Sequence, residues 1–239
     1  MNIEMRRAVC RKLMHRYYSD VPTRAELLER ELEGILKLDQ VLFDAGCGAE
    51  IPLLKRYADQ VSLALGADLC APTLHWPKAF PVVANLEQLP FRSAFVDVTV
   101  SHSVFEHLED PGRVFKELGR ISRPGAKLVF TTPNKYYYSC LVALLIPESV
   151  KALYFRTVFG EDAFDHFPVR YRANSLRRFR QLARTGGFRL LKVEPIRHYP
   201  YYLMFSPLLF RLGIVYDWTI TRLRLKWLQS NWLVVMEKE

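Results

Sequence analysis

The chain has 239 residues, half of them apolar, and 34 basic against 25 acidic side chains give a formal net charge of +9. Such length and composition predict a substantial core and exclude a disordered chain. The positive balance suggests an acidic surface partner, anionic lipid or nucleic acid, yet no zinc-finger or aromatic RNA-binding pattern is present, so no specific nucleic-acid partner is expected. Cys10, Cys47, Cys70 and Cys140 are scattered without Cys-X-X-Cys spacing and no signal peptide leads the chain, which predicts reduced thiols, a cytoplasmic setting and neither zinc nor disulfide framework.

Two helices are predicted over residues 1–38. In the first, over 5–18, Met5, Val9, Leu13, Met14, Tyr17 and Tyr18 share a face while Arg6, Arg7, Arg11, Lys12 and Arg16 occupy the rest. This pattern suits a helix packed on the domain with a solvated side, or a basic helix at a membrane surface. The second starts at Thr23-Arg-Ala-Glu26, a capping-box spacing, and carries Leu28, Leu32, Ile35 and Leu36 on one stripe. Val41, Leu42 and Phe43 then form a short apolar strand that Asp44 closes, and Gly46 and Gly48 permit a tight turn on which main chain can approach a ligand. A phosphate loop would need Lys-Ser/Thr and a dinucleotide loop a third glycine; Ile51 and Pro52 defeat both patterns.

Residues 51–59 should form a helix and Val61–Ala67 a second strand ending at Asp68, twenty residues beyond Gly48. A carboxylate there, on the tip of the neighbouring parallel strand, can accept hydrogen bonds from both ribose hydroxyls of a nucleoside. Pro81–Ala84 reads as a third strand, followed by Asn85-Leu-Glu-Gln-Leu-Pro-Phe91, and 96–101 as a fourth, followed by Ser101-His-Ser-Val-Phe-Glu-His-Leu-Glu-Asp-Pro-Gly112. Asp110 is an N-cap and Pro111 fits the first helical position, ahead of the stripe Val114, Phe115, Leu118 and Ile121. A turn at Arg123-Pro-Gly-Ala-Lys leads into a fifth strand, Leu128–Thr132. Asn174 is an N-cap candidate for a helix through Leu176, Phe179, Leu182 and Ala183 that stops at Gly186-Gly187, and Phe188–Val193 and Trp232–Met236 are the sixth and seventh strands.

From Asp-Ala-Gly-Cys-Gly at 44–48, through Asn-Leu-Glu-Gln-Leu-Pro-Phe at 85–91, to the Glu-His-Leu and Asp-Pro segments after the fourth strand, residues 40–134 resemble the S-adenosylmethionine-dependent methyltransferases of the small-molecule type. The resemblance implies an α/β fold, a Rossmann-like three-layer sandwich whose seven-stranded, mostly parallel sheet ends on an antiparallel strand, with β-then-α units leading to it. It implies one methyltransferase domain over 1–239 and S-adenosylmethionine as cofactor, held by Asp44, Ala45, Gly46, Cys47, Gly48, Asp68, Leu69, Asn85, Leu86 and Ser101. Asn85 stands where the family usually has Asp, and Glu50 where many relatives have glycine. An amide oxygen can still accept from an exocyclic amine, without the charge.

Two long insertions depart from the family pattern, 135–173 and 196–230, where short connections are the norm. Both are rich in aromatic residues, from Tyr136, Tyr137 and Tyr138 to Tyr216, Trp218 and Trp227, and are expected to pack together as a cap over a greasy acceptor. A membrane span is disfavoured by Pro200, Pro207 and Arg211, whereas peripheral membrane contact through Arg222, Arg224 and Lys226 fits the composition. His102, His107 and His166 are the candidate general bases, and no cluster with metal-ligand spacing is seen. The activity expected is methyl transfer to a small, hydrophobic or lipid-like acceptor. Methylation of RNA or protein, and a non-catalytic scaffold of methyltransferase fold, are the alternatives.

Overall fold

A computed structural model describes residues 2–160 and 168–239. The chain divides into two compact units, one of 24–132, 169–194 and 233–239 and one of 1–23, 133–168 and 195–232.

The larger unit is built on β1 (Val41–Ala45), β2 (Leu63–Asp68), β3 (Ala79–Val83), β4 (Val96–His102), β5 (Ser122–Pro133), β6 (Phe188–Ile196) and β7 (Asn231–Lys238), ordered 3-2-1-4-5-7-6. The pairs β1/β2, β2/β3, β1/β4 and β4/β5 are parallel, and the last strands close the sheet antiparallel. Strand order reverses between β1 and β4, and a doubly wound sheet opens a crevice at the carboxyl ends of the strands on either side of such a reversal. Every residue of β1 is buried, as expected of a central strand covered on both faces. On the rest of the unit's scaffold, α2 (Arg24–Glu33) buries Leu28 and Leu32. Helix α4 (Pro111–Ile121) buries the whole predicted stripe, and Asp110 caps it by accepting from the amides of Gly112 and Arg113. Helix α7 (Leu176–Gly186) crosses α4 where a Cβ on Gly119 would collide with the Gly186 carbonyl, so glycine sets their approach. Phe105, Phe115, Phe130 and Phe179 fill the space beneath, mostly edge to face.

Several expected boundaries move. The first helix after β1, α3, covers only Pro52–Tyr57 before a tighter turn to Gln60, and β2 begins at Leu63. Among the described residues no α-helix joins β2 to β3 or β3 to β4, so the expected alternation of strand and helix fails there. Pro72 and Pro77 break the first connection, and Arg120 holds the second extended by donating to the carbonyls of Leu89 and Phe91. The turn expected at 123–127 is absorbed into β5, where Val96 pairs with Ser122 ahead of a register shift. Asn174 is not the N-cap: Ser175 holds that place, and the buried Asn174 amide donates to Thr132 Oγ1 at 2.6 Å.

The smaller unit gathers α1 (Ile3–Tyr18), α5 (Tyr138–Leu145), α6 (Glu148–Phe159) and α8 (Pro207–Arg222). Its core is Cys10, Tyr18, Met204, Phe210 and Ile214, with Leu13, Met14, Phe159, Tyr199 and Tyr201 packed around it. The buried face of α1 is therefore Cys10, Leu13, Met14 and Tyr18, whereas Met5 and Tyr17, expected on it, are exposed. The two insertions interleave: Tyr201 stacks on Phe159, Tyr216 meets Tyr138, and the Tyr154 hydroxyl donates to the Tyr202 carbonyl. Asp217, buried on α8, accepts from the Tyr18 hydroxyl at 3.1 Å and from Arg197 Nε at 2.5 Å, which provides the partners a buried charge requires.

Candidate active site

The carboxyl ends of β1, β2 and β4 meet at one edge of the sheet through the register Ala45 to Ala67 and Asp44 to Val100. The chain turns sharply after Ala45 because Gly46 and Gly48 take positive φ, 88° and 66°. A Cβ on Gly46 would run into the Val104 side chain, while one on Gly48 would meet nothing within 4 Å. Packing therefore closes one glycine in and leaves space at the other, the arrangement a backbone needs to admit a ligand. The amides of Gly46 and Cys47 donate to the Ala67 carbonyl at 2.8 and 3.3 Å, fixing the turn to the end of β2.

Asp68 completes the turn. One carboxylate oxygen accepts from the Gly48 amide at 2.8 Å and the other from the Cys70 amide at 2.9 Å, and the side chain is only partly buried. A carboxylate has about four acceptor positions, so two remain for hydroxyl groups of a ligand. Asp44 behaves differently: it is fully buried, one oxygen has no hydrogen-bond partner among the described residues, and burial, helped by the Asp68 charge, pushes its carboxyl up to about 8. The neutral acid is thus a substantial fraction of Asp44 at neutral pH. Burial, with the charges of Asp44 and Asp68 adding to it, pushes the Cys47 thiol up to about 12, which makes it inert as a nucleophile.

The other expected cofactor residues are distributed unevenly. Ala45 is buried and its carbonyl accepts from Ser101 Oγ at 2.7 Å, so the Ser101 hydroxyl is spent tying β4 to β1. Leu69 is exposed beside Asp68, and Leu86 is buried. Asn85 is exposed, and its side-chain oxygen accepts from the Glu87 amide at 2.9 Å, which closes an Asx-type turn. The Asn85 loop is seated by the Glu117 carboxylate, which accepts from the Leu89 amide and pairs with Arg120. Nothing in the local sequence announced that clamp.

His102 sits at the end of β4 with Nδ1 2.8 Å from Thr131 Oγ1, and burial followed by the Arg24 charge depresses its imidazole to about 4. It is neutral at physiological pH and a weak base. His107 is half-buried in the turn after β4, with its amide bonded to the Val104 carbonyl. His166 lies outside the described residues. Between the first two stands a group the sequence reasoning passed over, Glu106. It is buried, its carboxylate accepts from Thr132 Oγ1, and burial raises its pKa against the lowering effects of hydrogen bonds and nearby cations. Thr132 in turn accepts from Asn174, and the Glu106 carbonyl takes the amides of Arg170 and Tyr171. The sequence signal for it is the Glu-His-Leu segment itself, in which Glu106 precedes His107. Ser103, at φ 57°, adds a strained backbone position beside these groups.

A doubly wound sheet with a two-glycine turn at its reversal point and an acid on the next strand tip defines an α/β protein of Rossmann-like fold. Residues 43–130 match the family described as a methyltransferase domain, and over that stretch the chain is similar to the S-adenosylmethionine-dependent methyltransferases of Rossmann-like fold. A probable S-adenosylmethionine-dependent methyltransferase of Mycobacterium tuberculosis is 35% identical over 103 residues, 41% of this chain and 37% of the relative. The chain thus spans little more than a third of that relative's length. The ubiquinone biosynthesis O-methyltransferase of Coxiella burnetii is 26% identical over 188 residues, 75% of each chain. Among solved structures, geranyl diphosphate C-methyltransferase from Streptomyces coelicolor superposes with a TM-score of 0.56 at 15% identity, covering 90% of this chain and 77% of that one. At that identity the likeness concerns the fold.

The residues present fit the family's cofactor. The open space at Gly48, the remaining acceptor positions of Asp68 and the unpartnered oxygen of Asp44 lie along one turn.

Proposed function

We propose that the chain transfers a methyl group from S-adenosylmethionine to a small, hydrophobic or lipid-like acceptor, in the cytoplasm at a membrane surface where such acceptors dissolve. The observation that carries the cofactor assignment is the double engagement of Asp68, which organises the Gly48 turn while keeping acceptor capacity for ribose hydroxyls. Gly46 and Gly48 would bring main chain against the cofactor, Leu69 and Leu86 would pack on its apolar parts, and Asn85 would meet the adenine edge.

When bound, S-adenosylmethionine supplies an activated methyl on a sulfonium with its leaving group already in place. The chain's own task is to orient the acceptor and exclude water, because in-line displacement depends chiefly on placing nucleophile and methyl in contact. Removal of a proton from an oxygen nucleophile would add roughly 10²- to 10⁴-fold. His102, neutral and tied through one ring nitrogen to Thr131, is suited to accept a hydrogen bond from the acceptor, and its depressed pKa weakens it as a base. His107 and His166 remain the other candidates from sequence. Glu106, whose pKa burial raises and whose carboxylate accepts from Thr132, joins them. The aromatic side chains of the smaller unit, such as Tyr137, Tyr138 and Tyr216, have the chemistry to receive an apolar acceptor.

Calorimetric titration with S-adenosylmethionine and S-adenosylhomocysteine tests the cofactor part. Binding of neither by folded protein would favour the scaffold alternative. Methyl transfer from labelled cofactor into the organic phase of a lipid extract tests the acceptor class, and label confined to RNA or protein would reject it.

A further inference from the structure

Helix α8 faces two ways. Phe210, Gly213, Ile214, Asp217 and Ile220 are buried, and the opposite face exposes Leu208, Leu212, Val215 and Trp218, spaced i, i+4, i+7 and i+10 along one side. All four side chains are at least 56% exposed, so the apolar stripe is open to solvent. Arg211 and Arg222 fall on the same side at helical spacing, and the exposed Leu223, Arg224, Lys226 and Trp227 continue it beyond the helix end. The single acid of α8, Asp217, is on the buried side and bound to Arg197. An exposed apolar stripe with basic residues interspersed and no acid is costly in water unless something covers it.

We infer that this face of α8 docks the protein on the headgroup layer of an anionic membrane, with Leu208, Leu212, Val215 and Trp218 reaching the acyl boundary and Arg211, Arg222, Arg224 and Lys226 meeting lipid phosphates. Charge complementarity selects this occupant. The segments that make up the smaller unit carry thirteen basic and seven acidic residues, so most of the chain's excess positive charge belongs to it. A second copy docked face to face about a two-fold axis would set these arginines against themselves. A nucleic acid would satisfy the cations but leave the leucine and valine side chains uncovered. Lysine and arginine stems can lie along apolar surface while their charges reach phosphate, and tryptophan favours the interface. The helix has 16 residues, about 24 Å, and no helix among the described residues is long and apolar enough to cross a membrane. Lying in the interface plane is the geometry left to it.

The inference rests on the membrane-surface part of the proposed function and is independent of methyl transfer. Its test is sedimentation of the full chain with vesicles of phosphatidylcholine alone or mixed with phosphatidylglycerol. The parent should partition onto mixed vesicles, release as salt is raised, and show a blue shift of tryptophan emission. Leu212→Ser with Val215→Ser should lower the partition coefficient about tenfold or more, and Arg211→Gln or Arg222→Gln roughly five-fold each. Charge-matched controls on the larger unit, Lys37→Gln and Lys116→Gln, should change it much less. Failure of the parent to bind any vesicle overturns the membrane reading as a whole. Binding that survives the α8 substitutions overturns the α8 assignment alone, and light scattering that shows a parent dimer dispersed by Leu212→Ser assigns the face to a second copy. Cofactor affinity, measured on the same variants, should not move, so that failure here is distinguishable from failure of the methyltransferase reading.

Discussion

Replacing Asp68 with alanine removes the acceptor for two backbone amides, Gly48 at 2.8 Å and Cys70 at 2.9 Å, together with the two acceptor positions assigned to ribose hydroxyls. Hydrogen bonds to a charged group contribute about 1.5–3 kcal/mol each, with the lower end appropriate to a partly exposed carboxylate. The variant loses one or two such contacts with the cofactor in addition to the order of the turn, so affinity should fall by at least about 1.5 and up to about 3 kcal/mol. This corresponds to a dissociation constant raised roughly 10- to 150-fold. Asp68→Asn separates the components, because its single carbonyl oxygen can serve one amide while the charge is lost. It should fall between parent and alanine variant. Isothermal titration with S-adenosylhomocysteine reads the affinity, and thermal melting without ligand reads the turn. An Asp68→Ala protein that melts lower but binds with parental affinity would refute the ribose assignment and leave Asp68 a purely structural cap of the glycine turn.

Gly46→Ala should lower stability by about 1–3 kcal/mol in urea unfolding, since the residue has φ 88° and its Cβ would run into Val104; Val104→Ala in the same chain should recover only the steric part. The His102 imidazole, followed by NMR, should titrate near 4. Because its folded pKa lies below the usual 6.5, it contributes stability that is present above 6.5 and is lost as pH falls through about 4, and His102→Gln should remove that dependence. Asp44 has the opposite sign. Its folded pKa is raised from 3.8 to about 8, so its contribution is present below 3.8 and is lost as pH rises through about 8; Asp44→Asn should therefore gain on the parent in melting temperature across that interval.

The strands and the glycine turn were legible because the signals are local: Val41-Leu-Phe is a buried apolar run, and Gly46 and Gly48 are required by φ. The α4 stripe and its Asp110 cap were legible for the same reason. What escaped was set by partners distant in sequence. Asn174 looks like a helix cap until Thr132, 42 residues earlier, takes its amide into the core. Glu106 looks like surface until the fold buries it against that same threonine. Pro207, read as an interruption, stands in the first turn of α8, where a missing amide proton costs nothing. The buried face of α1 could not be assigned from periodicity alone, since Cys10 and Tyr18 are chosen by what Phe210, Ile214 and Met204 offer them.

The division of the chain into two units separates two kinds of constraint. Every residue assigned to the cofactor, from Asp44 to Ser101, lies in the larger unit, where strand register and glycine φ fix the backbone. The smaller unit is assembled from the N-terminal helix and two insertions that leave the sheet after β5 and β6. Among its described residues, internal order comes from tyrosine and phenylalanine packing and from the partly buried ion pair of Arg197 with Asp217, which Tyr18 also joins. Side chains packed in this way can be exchanged for others of similar volume without disturbing the strands. Acceptor preference is therefore the property that substitutions in 133–168 and 195–232 should alter, while cofactor affinity stays with the strand tips. Exchanging Tyr138 or Tyr216, which meet at 5.3 Å, for leucine should shift which acceptors are methylated and leave the calorimetric affinity for S-adenosylhomocysteine within about two-fold of the parent. Equal losses of both would mean that the two units do not divide the work in this way.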